Sequence, residues 1–465
     1  MAPWFVLPER PGWPTLGTEG DDTFVASLSA WLAVGRDLFG RGGLDTLRLS
    51  VTGDLDDASF ENAAGLEALV LLPGSDSVPT LRLGSFASAC FADGLTVNGI
   101  LILDASAMTV PIIWQAEGGF IGGSANDVIR FDTIAQLRNS FPVNGGAGFD
   151  VLALGGDGIT LVASNLTGVS SIEALQLQGN GSLAIEWGAA ADIAFASTAT
   201  ILADAAESLW LDASVASIGI SVAGTGGSDI LRTGAGNDAL LGRGGADAIS
   251  AGGGIDHVVF DTAQDLRAIF RATGDSGADI LLLRGDNAHY SASDFDGNTL
   301  LMRPTDAFPA IYGFEEVRLA GRGDLSVELA DFGPFVGSER AYGSITAPEA
   351  ASLTADLSKA TIGLAVYGSQ GADSITAGRG HDWLVGGAGG DRFTINNGCA
   401  IDVIADFVSG SDRIALSGFV GRDDFAALQA HMNVVDGNLV IGLSSSDAII
   451  LAGVHSVAAG DFLFG

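Results

Sequence analysis

The stretch at residues 224–260, GTGGSDILRTGAGNDALLGRGGADAISAGGGIDHVVF, repeats one pattern with a period of nine residues. The pattern predicts a glycine-rich turn ending at an aspartate, then a short strand with one inward apolar residue. Glycine suits such turns because their residues adopt positive φ and pack against identical turns above and below. The repeated aspartates are Asp229, Asp238, Asp247 and Asp256, and the apolar residues two positions later are Leu231, Leu240, Ile249 and Val258.

The nine-residue period also predicts where cations bind. Two nonapeptides make one full coil, so aspartates two units apart fall on the same edge of successive coils. Asp229 is then expected to stack on Asp247, and Asp238 on Asp256. Stacked strands lie about 4.8 Å apart and calcium accepts oxygens at about 2.3–2.6 Å, so one ion fits between two carboxylates. Turn carbonyls would complete the oxygen shell of this Ca²⁺ site.

A second block, GSQGADSITAGRGHDWLVGGAGGDRFT at residues 368–394, places Asp373, Asp382 and Asp391 at the same period. Both blocks resemble the RTX, or hemolysin-type calcium-binding repeat, family with its G-G-x-G-x-D-x-U-x nonapeptide. This resemblance implies a calcium-binding β-roll. Thr225 and Ser369 replace the second glycine of their units, a departure at the outermost ion positions. A metal-free glycine-rich solenoid is the alternative.

Single units of the same kind lie outside the blocks, in pairs 23 residues apart. The intervening segments 27–39, 133–141 and 262–270 carry apolar residues at helical spacing, such as Leu266, Ile269 and Phe270. We expect a short helix to replace one turn of the coil there, with Thr262 as an N-cap. The paired aspartates, which we include among the candidate calcium ligands, are Asp22 with Asp45, Asp127 with Asp150, and Asp256 with Asp279.

Longer internal repeats organise the rest of the chain. Segments 65–74, 171–180 and 313–322 align with one another, and so do 101–110, 209–218 and 352–361. We therefore predict an all-β fold: an elongated, internally repeated, right-handed parallel β-solenoid, or β-roll, with a few short inserted helices. The predicted modules are an N-terminal segment 1–16, repeat modules 17–121, 122–250 and 251–385, and a truncated module 386–465.

The last module carries a second resemblance. Segments 401–419 and 436–465 are similar to the carboxy-terminal end of RTX exoproteins, where a type I secretion channel reads an uncleaved signal. The final residues, from Asp461 and Phe462 to Gly465, fit its mixture of acidic and large apolar residues. An amphipathic β cap is the structural alternative, and both can hold. The N-terminus lacks the pattern of a secretory signal peptide, so we expect an extracellular or bacterial cell-surface protein that uses this other route.

The amino-acid composition limits the classes of molecule that the protein is expected to bind. The 465 residues include 67 glycines, and 56 acidic against 21 basic side chains give a formal net charge of −35. Such a field repels nucleic acid and anionic membranes and attracts cations. No run of about 18 apolar residues is present, so no transmembrane segment is expected. Cys90 and Cys399 are interpreted as ordinary buried thiols.

Motifs of hydrolytic enzymes are missing from the sequence, which contains no H-E-x-x-H and no G-x-S-x-G. A glycosidase-like acid pair drawn from Glu117, Glu186 and Asp212, near Trp114, Trp187 and Trp210, is the weak alternative. We expect solvent-facing or structural roles for the five histidines, which are His257, His289, His381, His431 and His455.

These observations favour a secreted calcium-binding structural protein of a surface layer, biofilm matrix or adhesin, not an enzyme. We expect it to fold on binding calcium outside the cell. Its expected partners are calcium and the type I secretion machinery, with self-assembly or cell-surface polysaccharide as further candidates. The alternatives are an extracellular polysaccharide-acting enzyme on the solenoid and a module that binds glycans or host surfaces.

Overall fold

The computed structural model describes residues 4–6, 15–27, 31, 37–73, 78–195, 197–203, 205–296, 310–330 and 343–465. The chain forms two compact units, Met1–Ala223 and Gly224–Gly465. This division falls inside the predicted module 122–250, whose bounds stay a prediction. In both units most strands pair in parallel with a strand one coil further along the chain, which makes each unit a parallel β-solenoid.

In the first unit, one main sheet adds its strands in chain order. Its register joins residues one coil apart, as in Thr23 with Thr46 and Phe24 with Leu47. Smaller parallel sheets form the other faces. The strands are Trp4–Val6, Thr15–Leu16, Thr23–Ser27, Leu38–Phe39, Thr46–Val51, Ala63–Ala64, Ala68–Pro73, Thr80–Arg82, Leu95–Ile100, Ile102–Asp104, Ile112–Glu117, Phe120–Ile121, Val128–Phe131, Val143–Asn144, Val151–Leu154, Thr160–Val162, Val169–Ser170, Ala174–Leu177, Ser182–Glu186, Thr198–Leu202, Ser208–Asp212 and Gly219–Ala223.

In the second unit, the first nonapeptide block alternates between two sheets. Leu231 pairs with Ile249 in one sheet, and Leu240 pairs with Val258 in the other, each across 18 residues. The strands are Ile230–Arg232, Ala239–Leu241, Ala248–Ser250, Gly253–Gly254, His257–Phe260, Arg271–Thr273, Ser276–Gly277, Ile280–Arg284, His289–Tyr290, Ile311–Tyr312, Glu316–Ala320, Asp324–Ala330, Gly343–Thr346, Ser352–Lys359, Leu364–Tyr367, Ser374–Thr376, Trp383–Val385, Arg392–Asn396, Ile401–Ile404, Arg413–Ser417, Met432–Val435, Asn438–Gly442, Ala448–Leu451 and Phe462–Phe464.

The core contains rows of inward apolar side chains, which are aliphatic in most of the first nonapeptide block and include fully buried aromatic residues elsewhere, such as Phe24, Trp114 and Phe393. In the three-residue strands of the first block, the middle residue is buried and its neighbours are less so. Leu231, Leu240 and Val258 are fully buried, and Ile249 is 2% exposed. Stacking equivalent side chains buries apolar area in every coil, and this burial is the main favourable contribution to folding. The predicted parallel solenoid with one inward residue per nonapeptide is thereby confirmed.

Short helices interrupt the coils where the spacing widens to 23 residues. Helix Ala263–Ala268 begins after Thr262, whose Oγ1 accepts the backbone N–H of Asp265 at 3.1 Å, so the predicted cap is confirmed. The helix is shorter than the spacing of its apolar residues suggests, because Ile269 is its C-cap and Phe270 lies beyond it; Ile269 is fully buried and Phe270 is 37% exposed.

The other predicted helices have different outcomes. Helix Ile134–Arg138 has a capping box at Thr133, and most of segment 27–39 lies outside the described residues. None of the helices in the described ranges is long and apolar enough to cross a bilayer. The remaining α-helices are Ser85–Cys90, Ala189–Ala194 and Phe425–Gln429, and the 3₁₀ helices are Asp57–Phe60, Ala163–Leu166, Ala292–Asp296 and Ala459–Asp461.

One sheet ends in an antiparallel hairpin near the C-terminus, while the last strand, Phe462–Phe464, still pairs in parallel with Arg413–Ser417. Strands Met432–Val435 and Asn438–Gly442 pair antiparallel across Asp436 and Gly437, which both have positive φ as a tight two-residue hairpin requires. The second of these strands pairs antiparallel with Ala448–Leu451. The segment thus has the arrangement of the β cap that the sequence allowed, while its export role stays a prediction.

Candidate metal sites along stacked carboxylates

The candidate aspartates lie where glycine-rich turns meet strands. Each side chain is at most 3% exposed. A buried carboxylate is tolerated when hydrogen bonds or a cation offset its lost hydration. The twelve residues are Asp22, Asp45, Asp127, Asp150, Asp229, Asp238, Asp247, Asp256, Asp279, Asp373, Asp382 and Asp391.

Aspartates one coil apart are joined directly. The backbone N–H of Asp229 donates to Oδ1 of Asp247 at 2.9 Å, and that of Asp238 donates to Oδ1 of Asp256 at 2.8 Å. The first pair precedes strands of one sheet and the second pair precedes strands of another. The structure therefore brings together the aspartates 18 residues apart and puts those nine apart on different edges, as predicted.

We call a series in which each backbone N–H donates to the carboxylate of the next member an acid ladder. The pattern recurs in both units and in coils of different length, with N···O distances of 2.6–3.0 Å. The ladders are Asp22–Asp45–Glu67, Asp127–Asp150–Glu173, Asp229–Asp247, Asp238–Asp256–Asp279–Glu315, Asp373–Asp391–Asp412 and Asp382–Asp402.

Five ladder members were not predicted from the sequence, because three are glutamates and the two aspartates lie at spacings of neither 18 nor 23 residues. They follow the preceding aspartate by 22, 23, 36, 20 and 21 residues. A signal for three of them was present, since the aligned segments 65–74, 171–180 and 313–322 all carry glutamate at the third position. The five residues are Glu67, Glu173, Glu315, Asp402 and Asp412.

The ladder changes the expected ion geometry. One carboxylate oxygen of each member accepts a backbone N–H, because a buried N–H needs a partner. An ion midway between two fully available carboxylates is therefore not what the structure offers. In some members the second oxygen is bonded too, as in Asp382, whose Oδ2 accepts the backbone N–H of Gly378. In Asp45, Asp150, Asp256 and Asp402, Oδ2 is buried without a hydrogen-bond partner within the described part of the chain. A buried, unpaired carboxylate oxygen is costly and favours a bound cation or a proton.

Glycines in the turns let further oxygens approach. A Cβ on Gly40 would lie 1.8 Å from the carbonyl oxygen of Gly65 and 2.2 Å from Oδ2 of Asp45. A carbonyl and a carboxylate oxygen thus converge on the space that the absent side chain leaves. Gly254, with φ +131°, lies similarly against the carbonyl of Gly236 one coil earlier. These hard oxygen donors match the ligands that calcium prefers.

Burial makes ionisation of the ladder unfavourable when no cation is bound. Burial, with a smaller contribution from like-charged neighbouring aspartates, raises the pKa of Asp247, Asp256 and Asp402 to about 8. The pKa of Asp127 is raised to about 7 and that of Asp391 to about 6, again chiefly by burial. A cation in contact with the carboxylates would favour their charged form and reverse this effect.

The first member of three ladders is capped by a hydroxyl. Thr225 donates its backbone N–H to Oδ2 of Asp229 at 2.7 Å and its Oγ1–H to Oδ1 at 2.9 Å. Ser369 makes the same two bonds to Asp373, at 2.6 and 2.7 Å. Thr18 makes both to Asp22. Thr18, Thr225 and Ser369 occupy the position of the second glycine in their repeat units. Replacing that glycine with a hydroxyl residue gives the first carboxylate of each of these three ladders two hydrogen bonds from the protein.

Side chains alone do not complete a metal shell. Across the described ranges, no three Asp, Glu, His or Cys side chains are grouped as metal ligands. Paired carboxylates, converging carbonyls and water would have to supply the six to eight oxygens of calcium. The buried, partnerless Oδ2 atoms and the oxygen-only donor set fit calcium, and ligation by the individual aspartates stays a prediction.

The residues considered for a glycosidase-like acid pair do not come together in one site. Glu186 and Asp212 lie in register on neighbouring strands, whereas Glu117 belongs to another sheet. Both cysteines are free and buried, with burial raising the pKa of Cys90 to about 12. Trp114 and Trp187 are buried while Trp210 is 36% exposed. His257 is half-buried in a strand, and the exposed histidines are His289, His381, His431 and His455.

Comparison with known proteins identifies the repeats. The model of the RTX calcium-binding nonapeptide repeat matches four copies, at residues 223–258 and 366–394. The chain therefore contains RTX repeats of the calcium-binding class in these two segments. Among solved structures, the chain is similar to the extracellular lipase LipA from Serratia marcescens, with 12% identity, a TM-score of 0.22, and coverage of 83% of this chain and 67% of the lipase. Comparison with curated proteins gives no match.

Proposed function

We propose that this protein is a secreted, calcium-binding structural or surface protein that folds when it binds calcium outside the cell. The observation that carries the proposal is the set of buried carboxylate oxygens without a hydrogen-bond partner in the described ladders, at Asp45, Asp150, Asp256 and Asp402. A divalent cation held between coils would offset the free-energy cost of burying these unpaired oxygens. Calcium supplies the positive charge, and the turns supply rigid carbonyl and carboxylate oxygens.

Calcium is far more concentrated outside the cell than inside, so folding that needs calcium would take place only after export. Extracellular modules bind calcium at about 10⁻⁴–10⁻³ M. At about 1 mM ion and a Kd of about 0.1 mM, each site adds about 1.4 kcal/mol, so about five sites add about 7 kcal/mol. This sum is comparable with the whole stability of a domain. Submicromolar calcium adds almost nothing, so the chain would stay unfolded until a type I channel has exported it.

The surface charge supports a role in a calcium-dependent layer or matrix. A net charge of −35 opposes contact between copies, and divalent cations both neutralise carboxylates and screen the remainder. A surface layer, biofilm matrix or adhesin would use this property outside the cell. No catalytic step is part of the proposal.

Electron microscopy and analytical ultracentrifugation of the purified full chain test this role. In millimolar calcium, ordered sheets, filaments or large particles are expected, and in EGTA the chain is expected to sediment as an expanded monomer. Magnesium at the same concentration controls for simple charge screening. A compact monomer in calcium at every protein concentration would contradict the assembly role and leave calcium-driven folding to be judged by spectroscopy.

Glycan binding is a second candidate, supported by a cleft of about 630 Å³ in the second unit. Tyr367 and Trp383 line it from neighbouring strands and are 43% and 45% exposed. Glu316 at its edge accepts hydrogen bonds from Arg318 and Thr346. Exposed aromatic faces beside fixed polar groups suit a neutral sugar. Calorimetry with neutral oligosaccharides, using Trp383→Ala, tests this candidate, and the absence of binding by the wild-type chain excludes it.

A further inference from the structure

Three acid ladders end in the same way, at a glutamate. The backbone N–H of Asp45 donates to Oε2 of Glu67 at 2.6 Å, and that of Asp150 donates to Oε2 of Glu173 at 2.7 Å. In the second unit, the N–H of Asp279 donates to Glu315 at 2.7 Å. The residues of these three pairs lie outside the segments that the RTX repeat model matches. They share with those segments only the use of a buried aspartate.

Backbone hydrogen bonds hold each aspartate and glutamate in a fixed relation. The carbonyl of Asp45 accepts the N–H groups of Glu67 and Ala68 at 3.0 and 3.1 Å. The carbonyl of Asp150 accepts those of Glu173 and Ala174, both at 3.0 Å. Together with the bond to the carboxylate, three hydrogen bonds fix each pair. The glutamate carboxylates are thus positioned before any ion arrives, which lowers the entropic cost of binding.

A left-handed residue two positions before each glutamate turns its carbonyl toward the same place. Gly65, Ser171 and Gly313 have φ of +65°, +53° and +77°. Left-handed geometry is uncommon for a residue with a side chain, so its occurrence at Ser171 shows that the turn itself is required. The carbonyl oxygens of these residues lie 1.8, 2.1 and 2.3 Å from the Cβ positions that Gly40, Gly145 and Gly274 lack.

A partnerless carboxylate oxygen points into this place in both copies of the first unit. Oδ2 of Asp45 lies 2.2 Å from the missing Cβ of Gly40, and Oδ2 of Asp150 lies 2.5 Å from that of Gly145. Asp45 and Asp150 are fully buried, and neither Oδ2 atom has a hydrogen-bond partner within the described ranges. An oxygen in this position, beside a carbonyl of the next coil, requires a cation or a proton.

We propose that the aspartate, the left-handed carbonyl and the glutamate form a second type of calcium site, which closes each ladder: Asp45 with Gly65 and Glu67, and Asp150 with Ser171 and Glu173. This inference rests on the proposed calcium-dependent function and extends it to coils that lack the nonapeptide period. Water would complete the coordination of an ion that accepts six to eight oxygens.

The use of glutamate accompanies the left-handed turn and not the length of the coil. The terminal acids follow their aspartates by 22 and 23 residues, but 23 residues also separate Asp22 from Asp45, where the acceptor is an aspartate. They also follow a left-handed turn in place of the glycine-rich nonapeptide turn. The extra methylene lets the carboxylate reach the N–H of the aspartate from this altered backbone. In the second unit, Glu315 likewise accepts the backbone N–H of Asp279, which lies 36 residues earlier.

Calcium-titration calorimetry on the full-length chain tests the site with Glu67→Gln, Glu173→Gln and the double variant. The glutamine carbonyl can still accept the aspartate N–H, so the structural bond is kept while the ligand charge is lost. Each single variant is expected to bind one ion fewer, and the double variant two fewer. Glu186→Gln, an exposed acid on a strand of the same unit, is the matched control and should keep the full number. An unchanged ion count in the Glu67 and Glu173 variants would overturn the inference.

Two further measurements separate this inference from the proposed function. Asp238→Asn in the nonapeptide block should lose an ion whether or not the glutamate sites exist. Loss in that variant with no loss in the glutamate variants rejects the second site type alone. A wild-type chain that binds no calcium rejects both. Circular dichroism of each variant in calcium and in EGTA verifies its fold, and since Glu67 and Glu173 lie in separate coils, a misfolded variant of one leaves the other to decide.

Discussion

The backbone N–H of Asp238 donates to Oδ1 of Asp256, 18 residues later, while Oδ2 of Asp256 is buried with no hydrogen-bond partner among the described residues. One oxygen of the carboxylate therefore serves the fold and the other is available to a ligand. The same division of roles at Asp45, Asp150 and Asp402 makes folding depend on what neutralises the second oxygen.

Removal of calcium is expected to unfold the coils. In EGTA the buried carboxylates lose their cation and must either stay charged without a partner or take up protons, so the β signal in circular dichroism should fall and the melting temperature should drop. With about five sites at millimolar calcium, the expected difference in free energy of unfolding is about 7 kcal/mol. An identical spectrum and melting temperature in EGTA and in calcium would disprove calcium-driven folding.

The calcium-free chain should become less stable as the pH rises from about 4 to about 8. Burial raises the pKa of Asp247, Asp256 and Asp402 to about 8, so the folded state retains protons that the unfolded chain releases near pH 4. The free energy of unfolding therefore falls with pH across this window.

Calcium should reverse this trend, because it binds the ionised carboxylates in competition with protons. The rise in melting temperature caused by calcium should be small near pH 4 and large near pH 8. Thermal melts at a series of pH values, with EGTA or calcium, measure both effects. Stability in EGTA that increases from pH 4 to pH 8 would contradict the burial of ionisable ladder carboxylates.

The hydroxyl caps should make the outermost aspartates independent of calcium. Replacing Thr225 with glycine restores the repeat pattern but removes the Oγ1–H···Oδ1 bond to Asp229. The calcium-free stability of Thr225→Gly should fall by about 1.5–3 kcal/mol, the usual contribution of a hydrogen bond to a charged group. Chemical unfolding in EGTA measures this loss, and Thr225→Ser, which keeps the hydroxyl, should behave as the wild type does. Equal stability of the glycine and serine variants would show that the cap has no such role.

Residues 401–465 are expected to direct export through a type I channel. Fused to the C-terminus of a small passenger protein, they should bring it into the culture medium of a host that expresses such a channel, without cleavage. The matched fusion that lacks the stretch from Asp436 onward should stay inside the cell. Equal secretion of the two fusions would place the signal elsewhere.

The period of nine residues was sufficient to predict the solenoid, its inward residues and the stacking of Asp238 on Asp256, because each nonapeptide repeats one local geometry. It did not predict Glu67 or Glu173, since a glutamate takes the place of the aspartate there and its position is defined by a left-handed turn. Thr225 looked like a weakened repeat, and its hydrogen bonds to Asp229 became visible only in the folded turn. The sequence also did not show that one oxygen of such a carboxylate accepts a backbone N–H of the previous coil while the other is left for a cation, because this division arises only when coils stack.

Calcium binding by pairs of ladder aspartates is the central claim, and counting bound ions in double variants tests it most directly. Asp238 and Asp256 are neighbours on one edge, so Asp238→Asn and Asp256→Asn should affect a shared ion, and the double variant should lose little more than either single variant. Asp238 and Asp247 lie before strands of different sheets, so their losses should add. Calcium-titration calorimetry is predicted to show strong coupling for the first pair and additivity for the second. Equal coupling for the two pairs would contradict the stacked-ladder account.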